Sequence, residues 1–319
     1  MIKTSFKSAW ARKRRLTGTF IAVFLGVAFL SGTLALGDTL NANFQTLFSS
    51  VTRGTDAVVR STTSVSSDRS RATRAPIDAS VAQELGKVDG VAAVEPSVEG
   101  YGAVIGRDGK VLGGNGPPRL AGNWITDPDL NPYQLAEGRA PQAPDEVVIN
   151  RGAAKDGNLH VGDATTVRTP DPVSVRIVGI ATFGSEDGFG KATFIAFTLP
   201  AAQQRLEAKP GMVSSILVKG SPGVSQADVV RRVDSVLPAG DQAVTGAQLT
   251  KENINDINRV FLNFLRTFLV VFAGIALLVA TFSIYNTFSI IAAQRSRESA
   301  LLRAVGGTRA QVLGSVLTR

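Results

Sequence analysis

The sequence contains no cysteine and only one histidine in 319 residues. The absence of cysteine excludes a disulfide framework, a thiolate metal site and a cysteine nucleophile. With His160 as the only histidine, a Ser-His-Asp catalytic set and a multi-histidine metal site both lack support. We expect His160 to be an ordinary surface residue before the turn Val161-Gly162-Asp163. A folded domain in this chain must therefore be stabilised by its apolar core.

Positive charge is concentrated at the two ends of the chain. Residues 1–15 carry six Lys or Arg and no acid, and residues 295–319 carry five Arg against the single acid Glu298. The middle of the chain, 38–258, holds 25 Asp or Glu and 21 Lys or Arg. The net charge of +8 therefore belongs to two short flanks, and the middle is mildly acidic.

Two long uncharged runs lie beside these basic flanks. Residues 16–37 contain 22 residues without a charge, and residues 267–294 contain 28. As helices they would span about 33 Å and about 42 Å, enough for a bilayer core. Because cytoplasmic flanks collect Lys and Arg, both termini are predicted inside and the middle outside. We expect a multi-pass plasma-membrane protein with transmembrane helices at 16–37 and 259–294.

A cleaved signal peptide is the alternative for the first run, with cleavage after Gly37. The apolar part of a signal peptide usually has about 7–15 residues, which is shorter than this run. An uncleaved membrane anchor is therefore favoured.

Both apolar runs carry small residues at helical spacing. Such a stripe lets a second helix approach closely, which predicts that both helices pack on other helices. The predicted packing residues are Gly18, Ala22, Gly26, Ala273, Ala276, Ala280, Ser283 and Thr287.

The segment 38–258 alternates short strands and helices, which predicts a βαβ-rich α/β domain and an α+β membrane protein as a whole. Residues 55–61 favour a strand, and the Ser/Thr/Arg-rich residues 61–74 a mobile loop. Residues 80–90 have helical periodicity with Ser80 as N-cap, and Asp108-Gly109 predicts a tight hairpin turn with positive φ angles. Residues 145–199 contain several further strands and one short helix.

A weak internal repeat joins the two ends of this domain. "DAVV…VAQELGKVDGVAAVEP" and "SSILVKG…QADVVRRVDSVLPAGDQAVTG" both predict β-α-β. If the two units pair, the two ends of the domain lie side by side. Chance resemblance is the alternative, since the motif is common.

Two segments superficially resemble ligand-binding loops. In residues 184–193 the glycines Gly184 and Gly190 are one residue too far apart for a phosphate loop, and Ala192 replaces the Ser or Thr. Residues 127–138 begin like a calcium loop, but Pro132 and Gly138 replace the required Gly and Glu. We therefore expect no catalytic residue, metal site or bound cofactor in this chain. A nucleic-acid partner is not expected either, because no aromatic platform accompanies the basic residues.

The basic segment after Gln294 predicts a short amphipathic helix over 295–307. Ala300, Leu301, Ala304 and Val305 form one apolar strip, and Gly306-Gly307 predicts its C-cap. Thr308-x-x-Gln311 has the form of a capping box, so residues 308–319 predict the start of a further helix. Such a helix suits a cytoplasmic partner, and its arginines would also favour anionic lipid.

The stretch "NTFSIIAAQRSRESALLRAVGGTRAQV" resembles the segment after the second membrane helix of FtsX/MacB-type permeases of ABC transporters. Glu298 and the "ALLRA-x-G" core fall on the family pattern. "DEVVINRGAAKDGNLHVGDATTVRT" resembles a stretch of the family's external domain, with Gly162-Asp163 in place. The order of parts also matches.

The resemblance implies a permease without nucleotide-binding residues, driven by a cytoplasmic ABC ATPase that holds ATP and Mg²⁺. It also implies further permease helices or a second permease copy as partners, besides membrane lipid. Export or extraction of a lipid, lipoprotein, peptide or drug is expected, or transmission of force to an external protein. The residues expected to couple to the ATPase are Arg297, Glu298, Leu301, Leu302, Arg303, Ala304, Gly306 and Gly307.

Permeases of this family have further membrane helices after this motif, so we expect either a fragment or helices supplied by a separate chain. Two other functions remain open. One is a two-span sensor or scaffold whose external domain binds a ligand or cell-wall partner without an ATPase. The other is a secreted domain released after Gly37.

Overall fold

The computed structural model describes residues 31–32, 35, 39, 52, 54–67, 70–113, 118–188, 192–207, 209–306 and 308. They belong to two compact units, Met1–Asn258 and Arg259–Arg319. The strands are β1 Ala57–Ser61, β2 Ser64–Ser67, β3 Ser70–Arg74, β4 Ile77–Asp78, β5 Val91–Ser97, β6 Glu99–Tyr101, β7 Ala103–Val104, β8 Arg119–Asn123, β9 Tyr133–Gly138, β10 Glu146–Asn150, β11 Ala164–Arg168, β12 Pro172–Phe183, β13 Thr193–Phe197, β14 Met212–Val213, β15 Ser215–Gly220 and β16 Asp241–Thr245. The helices are α1 Val81–Leu85, α2 Arg151–Gly157, α3 Leu199–Ala202 with a π-helical turn Gln203–Glu207 after it, α4 Gln226–Asp234 and α5 Gly246–Ala304.

Two βαβ units share one four-stranded sheet, which we call the terminal sheet. Its strand order is β16-β1-β15-β5, and every neighbouring pair is antiparallel. The first unit contains β1, α1 and β5, and the second contains β15, α4 and β16. A strand of the other unit separates the two parallel strands of each unit, as in a split βαβ fold. The predicted pairing of the repeat is therefore confirmed.

The first and last strands of this domain are direct neighbours. β1 pairs with β16 over its whole length, from Ala57 opposite Thr245 to Ser61 opposite Asp241. The two ends of the domain lie side by side, as the repeat predicted.

The core of the terminal sheet follows from strand alternation. Ala57 and Val59 of β1 point to one face, because successive side chains of a strand alternate between faces. This face packs in one apolar cluster with the buried sides of the two helices, α1 and α4. Fully burying a valine, leucine or isoleucine side chain stabilises the fold by about 1.5–3 kcal/mol. The cluster includes Leu85, Ile216, Val218, Val229 and Val233.

An eight-stranded sheet, which we call the inserted sheet, is built from residues between β5 and β15. Its order is β6-β8-β13-β10-β12-β11-β7, and β9 also pairs with β12. The predicted strand, helix, turn and strand over 145–168 are confirmed as β10, α2, a turn with Gly162 at φ +98°, and β11. The chain therefore contains a mixed α/β domain.

The Ser/Thr/Arg-rich segment 61–74 was predicted as a mobile loop, and this prediction was wrong. The segment forms the antiparallel hairpin β2–β3, with Ser64 opposite Arg74. Arg74 Nη1 also donates to the carbonyl oxygen of Ser61 at 2.9 Å. Polar β-branched residues such as Thr73 support a strand as well as a loop, and composition alone does not separate the two.

Two local details also differ from the prediction. In the turn of residues 106–110 only Gly109 has a positive φ, +76°, whereas Asp108 does not. At the start of α1, Ser80 makes no side-chain cap and has helical angles. Asp78 Oδ1 instead accepts from the Ser80 backbone N–H at 2.8 Å. The Ser80 hydroxyl, and then this backbone N–H, lower the pKa of Asp78 by hydrogen bonding to its carboxylate.

The first apolar run, 16–37, lies almost entirely outside the described residues. Ser31, Gly32 and Ala35 within it are helical, as is Thr39, whose hydroxyl donates to the Ala35 carbonyl at 2.9 Å. Among the helices that the described residues form, none combines the length and the hydropathy needed to cross a membrane.

Asn150 anchors the glycine-rich segment to the centre of the inserted sheet. Its side chain is 1% exposed and donates to the carbonyls of Asp187 and Ala192, each at 3.2 Å. Its Oδ1 accepts from the Phe194 backbone N–H at 2.8 Å. One side chain therefore satisfies three backbone groups that strand pairing leaves free.

We predict that Asn150→Ala destabilises this domain by about 2–4 kcal/mol, because the Ala192 carbonyl and the Phe194 N–H would lose this partner, whereas the Asp187 carbonyl still accepts from the Gly152 N–H at 2.8 Å. The measurement is urea unfolding of the full chain in detergent, followed by pulse proteolysis. Asn158→Gly is the matched control, since Asn158 already has the left-handed φ of 50° that glycine adopts readily. An unchanged midpoint for Asn150→Ala would contradict the anchor.

Candidate functional site

The predicted coupling residues lie at the end of one very long helix. α5 runs without interruption from Gly246 to Ala304, over 59 residues. The sequence analysis separated a membrane helix ending at Gln294 from a coupling helix at 295–307, but the structure has no helix end there. Neither Gly nor Pro occurs between Gly274 and Gly306, so nothing in the chain breaks the backbone hydrogen bonds.

The apolar strip near the end of α5 is exposed. Leu301 is 66% exposed and Val305 is 88% exposed, and Ala300 and Ala304 are exposed as well. Gly306 has a φ of +95°, and its N–H donates to the Arg303 carbonyl, as the predicted C-cap requires. Arg297 and Arg303 are exposed. The side chains of Glu298 and Leu302, and Gly307 as a whole, lie outside the described part.

The predicted small-residue stripes stay predictions. Gly18, Ala22 and Gly26 are not among the described residues. The backbone of the second stripe is part of α5, but its side chains lie outside the described part. This second stripe consists of Ala273, Ala276, Ala280, Ser283 and Thr287.

The first turn of α5 is fixed by three parts of the domain, namely the chain before β1, α4 and the end of β16. The Gly246 N–H donates to the Asp56 carbonyl at 3.2 Å, before β1. The Ala247 N–H donates to Gln226 Oε1 of α4 at 3.4 Å, and the Gln248 N–H donates to Thr245 Oγ1 at 3.0 Å. These groups satisfy helix N–H donors that otherwise lack a partner.

Gly246 lets the helix approach the chain before β1. A Cβ atom at this position would lie far inside van der Waals contact with the Thr55 carbonyl oxygen. Glycine is therefore required here for the close approach of two backbones.

An ion pair joins the second turn of α5 to the middle of the terminal sheet. Arg60 of β1 is 6% exposed, and its Nη1 lies 2.7 Å from Glu252 Oε2. Gln248 Nε2 also donates to Glu252 Oε1 at 3.1 Å. The hydrogen bond from Arg60 lowers the pKa of Glu252, so this carboxylate stays charged at neutral pH.

A third contact connects α5 with the chain before β1. The hydroxyl oxygens of Thr52 and Thr250 are 2.7 Å apart. We call the contacts of Asp56, Arg60 and Thr52 with Gly246, Glu252 and Thr250 the helix joint.

The helix joint was not found from the sequence. Thr245-x-x-Gln248 has the form of a capping box, and this signal alone could have located the start of α5. The side-chain and backbone contacts of the helix joint hold the first two turns of α5 against β1 and the chain before it.

The chemical candidates weighed in the sequence analysis lie elsewhere. His160 is an exposed residue whose Nδ1 lies 3.6 Å from Asp163 Oδ2, and Asp163 is paired with Arg107 at 2.7 Å. In the glycine-rich segment, Asp187 pairs with Arg151 at 2.5 Å and Lys155 at 2.7 Å. Within the described ranges, no group of acidic or histidine side chains is arranged to hold a metal ion.

Family models match most of the chain. The model of the MacB-like periplasmic core domain matches residues 17–236, and the model of the FtsX-like permease C-terminal matches residues 270–319. The first match contains β1, the inserted sheet and α4. The second contains most of α5 and the exposed strip.

A curated relative matches over nearly the whole chain. It is an uncharacterised ABC transporter permease protein of Mycobacterium tuberculosis, 26% identical over 317 residues. The match covers 98% of this chain and 35% of the relative, so the chain spans about a third of the relative's length.

Solved structures also resemble the chain. The periplasmic region of MacB from Actinobacillus actinomycetemcomitans is 17% identical with a TM-score of 0.45, over 63% of this chain and 94% of that chain. The extracellular domain of the noncanonic ABC-type transporter YknZ from Gram-positive bacteria is 13% identical with a TM-score of 0.39, over 53% and 89%. The assignment rests on the two family models, whose matches together contain both the terminal sheet's first strand and the exposed strip of α5. This chain belongs to the family of the MacB-like periplasmic core domain and, with the FtsX-like match at residues 270–319, to the FtsX/MacB-type permease family.

Proposed function

We propose that this chain is the part of an ABC permease that carries ATP-driven movement from a cytoplasmic ATPase to a domain outside the membrane. The observation that supports this most strongly is the continuity of α5. One helix of 59 residues contains the residues of the helix joint in its first two turns and those of the exposed strip near its last residue.

The ATPase is proposed to bind the strip around Leu301. Exposed Leu301 and Val305 offer the apolar contact, and Arg297 and Arg303 beside them offer positive charge. The ATP and Mg²⁺ belong to this partner in the proposal. Closure of two ATPase subunits would then move the end of α5.

The middle of α5 is proposed to cross the plasma membrane, with both termini in the cytoplasm and residues 38–258 outside. Bulky apolar side chains on this part of the helix are exposed, which suits contact with lipid or with other permease helices. They include Phe268, Val271, Ile275, Leu278, Phe282 and Tyr285.

The external domain is the proposed receiver of the movement. Because the helix joint holds α5 against β1, displacement of the helix would move the terminal sheet instead of bending a linker. This arrangement supports transmission of force, either to a substrate being extracted or exported or to an external protein partner. The partners that complete the permease would be further helices or a second copy.

A photo-crosslinking probe in place of Leu301 is expected to capture the ABC ATPase in native membranes containing the full-length gene product. Mass spectrometry of the captured species is the measurement. Capture of lipid alone, with no protein, would overturn the proposal and favour a membrane-anchored binding module.

Leu301→Asp is expected to weaken ATPase association at least about tenfold, because the interface would have to bury an unpaired charge. The readouts are co-purification and permease-stimulated ATP hydrolysis. Ser299→Asp is the matched control, since about 100° of rotation per residue places it on the side of the helix away from the strip. Leu301→Asp with full stimulation would rule out this coupling surface.

Glu252→Gln is expected to loosen the helix joint by about 1–2 kcal/mol, because it leaves the buried Arg60 charge without its partner. Hydrogen exchange of residues 246–255 measures how far the helix joint is loosened. Association with the ATPase should be unchanged, while the transfer of movement from α5 to the terminal sheet falls. Glu84→Gln is the matched control, since Glu84 and Lys87 form an exposed pair. Equal exchange in the two variants would contradict the role of Arg60.

The helix joint should also loosen in acid. Since pairing lowers the pKa of Glu252 from its ordinary value of 4.5, its contribution is complete above pH 4.5 and is lost as the pH falls through the lowered pKa. Exchange of residues 246–255 should therefore rise below pH 4.5 in the wild type and change less in Glu252→Gln. The same acid response in both would contradict this linkage.

A further inference from the structure

The loop between β8 and β9, residues 124–132, reaches from the inserted sheet to the terminal sheet. Its start is fixed to the inserted sheet, because the Trp124 N–H donates to the Phe197 carbonyl of β13 at 2.8 Å. Its end is closed by Asn131, whose Nδ2 donates to the Ile125 carbonyl at 2.8 Å and whose Oδ1 accepts from the Tyr133 N–H at 2.9 Å. The loop is therefore a built structure with a fixed base.

The tip of this loop is also ordered from within. Asp127 Oδ1 accepts from the Asp129 N–H at 2.8 Å, and the Asp127 carbonyl accepts from the Asn131 N–H at 3.0 Å. Leu130 is completely buried. The tip is therefore held by hydrogen bonds of its own and by one buried apolar side chain.

Three contacts join the tip of the loop to the terminal sheet and to the chain just before β1. The Asp127 N–H donates to Glu95 Oε1 of β5 at 2.9 Å, and the Asp129 carboxylate pairs with Lys219 of β15. The Asp129 carbonyl oxygen lies against Gly54, where a Cβ atom would lie far inside van der Waals contact. The first two contacts fix the loop to the sheet, and the third fixes it to the chain before β1.

The residues before β1 therefore have contacts on two sides. We call residues 52 and 54–56 the leading segment. It contacts the loop tip through Gly54, and it contacts α5 through Thr52 with Thr250 and through the Asp56 carbonyl with Gly246. The leading segment thus contacts the first turns of α5 on one side and the loop tip on the other.

The covalent crossings between the two sheets lie close together. The chain leaves β5 at Val98, whose N–H donates to Asn123 Oδ1 at 2.7 Å. It returns beside Ser214, whose Oγ accepts from the Glu99 N–H at 2.9 Å. Both crossings therefore lie at one place, and the loop 124–132 adds a further connection between the sheets beside the apolar cluster that they share.

We propose that the loop 124–132 is a strap that transmits displacement of the first turns of α5, through the leading segment, to the inserted sheet. The proposal deepens the proposed function, because it names the route by which the inserted sheet would receive the movement. Its contacts can be tested without the ATPase, so the strap and the coupling to ATP hydrolysis can fail separately.

The first test is hydrogen exchange of the full chain in detergent for Thr250→Val, which removes the Thr52–Thr250 contact and also the hydrogen bond from the Thr250 hydroxyl to the Gly246 carbonyl at 3.0 Å. Because the second bond lies within α5, exchange in residues 246–255 rises in any case. We expect exchange in the strap to rise about fivefold as well, the change that losing one hydrogen bond produces. Unchanged protection of β10 and β13 would show that the variant is folded. A rise confined to residues 246–255, with the strap unchanged, would overturn the proposal.

A matched pair of glycines tests the contact between the leading segment and the strap. Gly54 has a φ of +79° and Gly211 a φ of +80°, but only at Gly54 would a Cβ atom meet another residue. Gly54→Ala and Gly211→Ala therefore carry the same backbone strain. We expect Gly54→Ala alone to raise exchange in the strap, and equal effects of the two would overturn the contact.

The reverse direction provides the last test, because coupling between two sites is reciprocal. Lys219→Met removes the pair with Asp129 and is expected to raise exchange in the strap and in residues 246–255. Lys155→Met is the control, since it removes a comparable ion pair with Asp187. If Lys219→Met alters the strap but leaves residues 246–255 at the wild-type rate, the strap is a local loop and not a transmitter.

Discussion

The pairing of β1 with β16 is the constraint on which the rest of the domain depends. β1 lies between β16 and β15, so the first strand of the domain is completed only by strands from its far end. The register places Thr245 opposite Ala57. α5 therefore begins beside the leading segment, and every contact of the helix joint follows from this placement.

The pairing of β5 with β15 explains how a large insertion can be accommodated. The inserted sheet leaves the terminal sheet after β5 and rejoins it at β15, and these two strands pair with each other directly. Because both crossings lie at one antiparallel pair, the inserted sheet can be long without separating β1 from β16. The first turns of α5 and the inserted sheet are thus separate in strand order, and they are connected through the apolar cluster that contains residues of both sheets and through loop contacts.

Local patterns predicted local structure well. The apolar stretches predicted the strands β1, β10 and β15, and the turn at Gly162 was also predicted. The repeat predicted that the two βαβ units pair. The start of α5 at Gly246 was missed, although Thr245 and Gln248 carry a capping signal. The Arg60–Glu252 pair could not be predicted, because its partners are separated by most of the domain and many other charges could pair equally well in sequence.

The contacts of the helix joint can hold α5 against β1 although each of them is weak. A partly buried ion pair such as Arg60–Glu252 can be nearly neutral for stability, because the charges lose hydration on burial. Its effect lies in position, since the contacts at Gly246, Thr250 and Glu252 are spread over about 9 Å of helix, the rise of six residues. A tilt of the helix against the sheet would therefore strain at least one of these contacts. In the proposed function, modest contacts placed along the axis would pass a movement of α5 to β1.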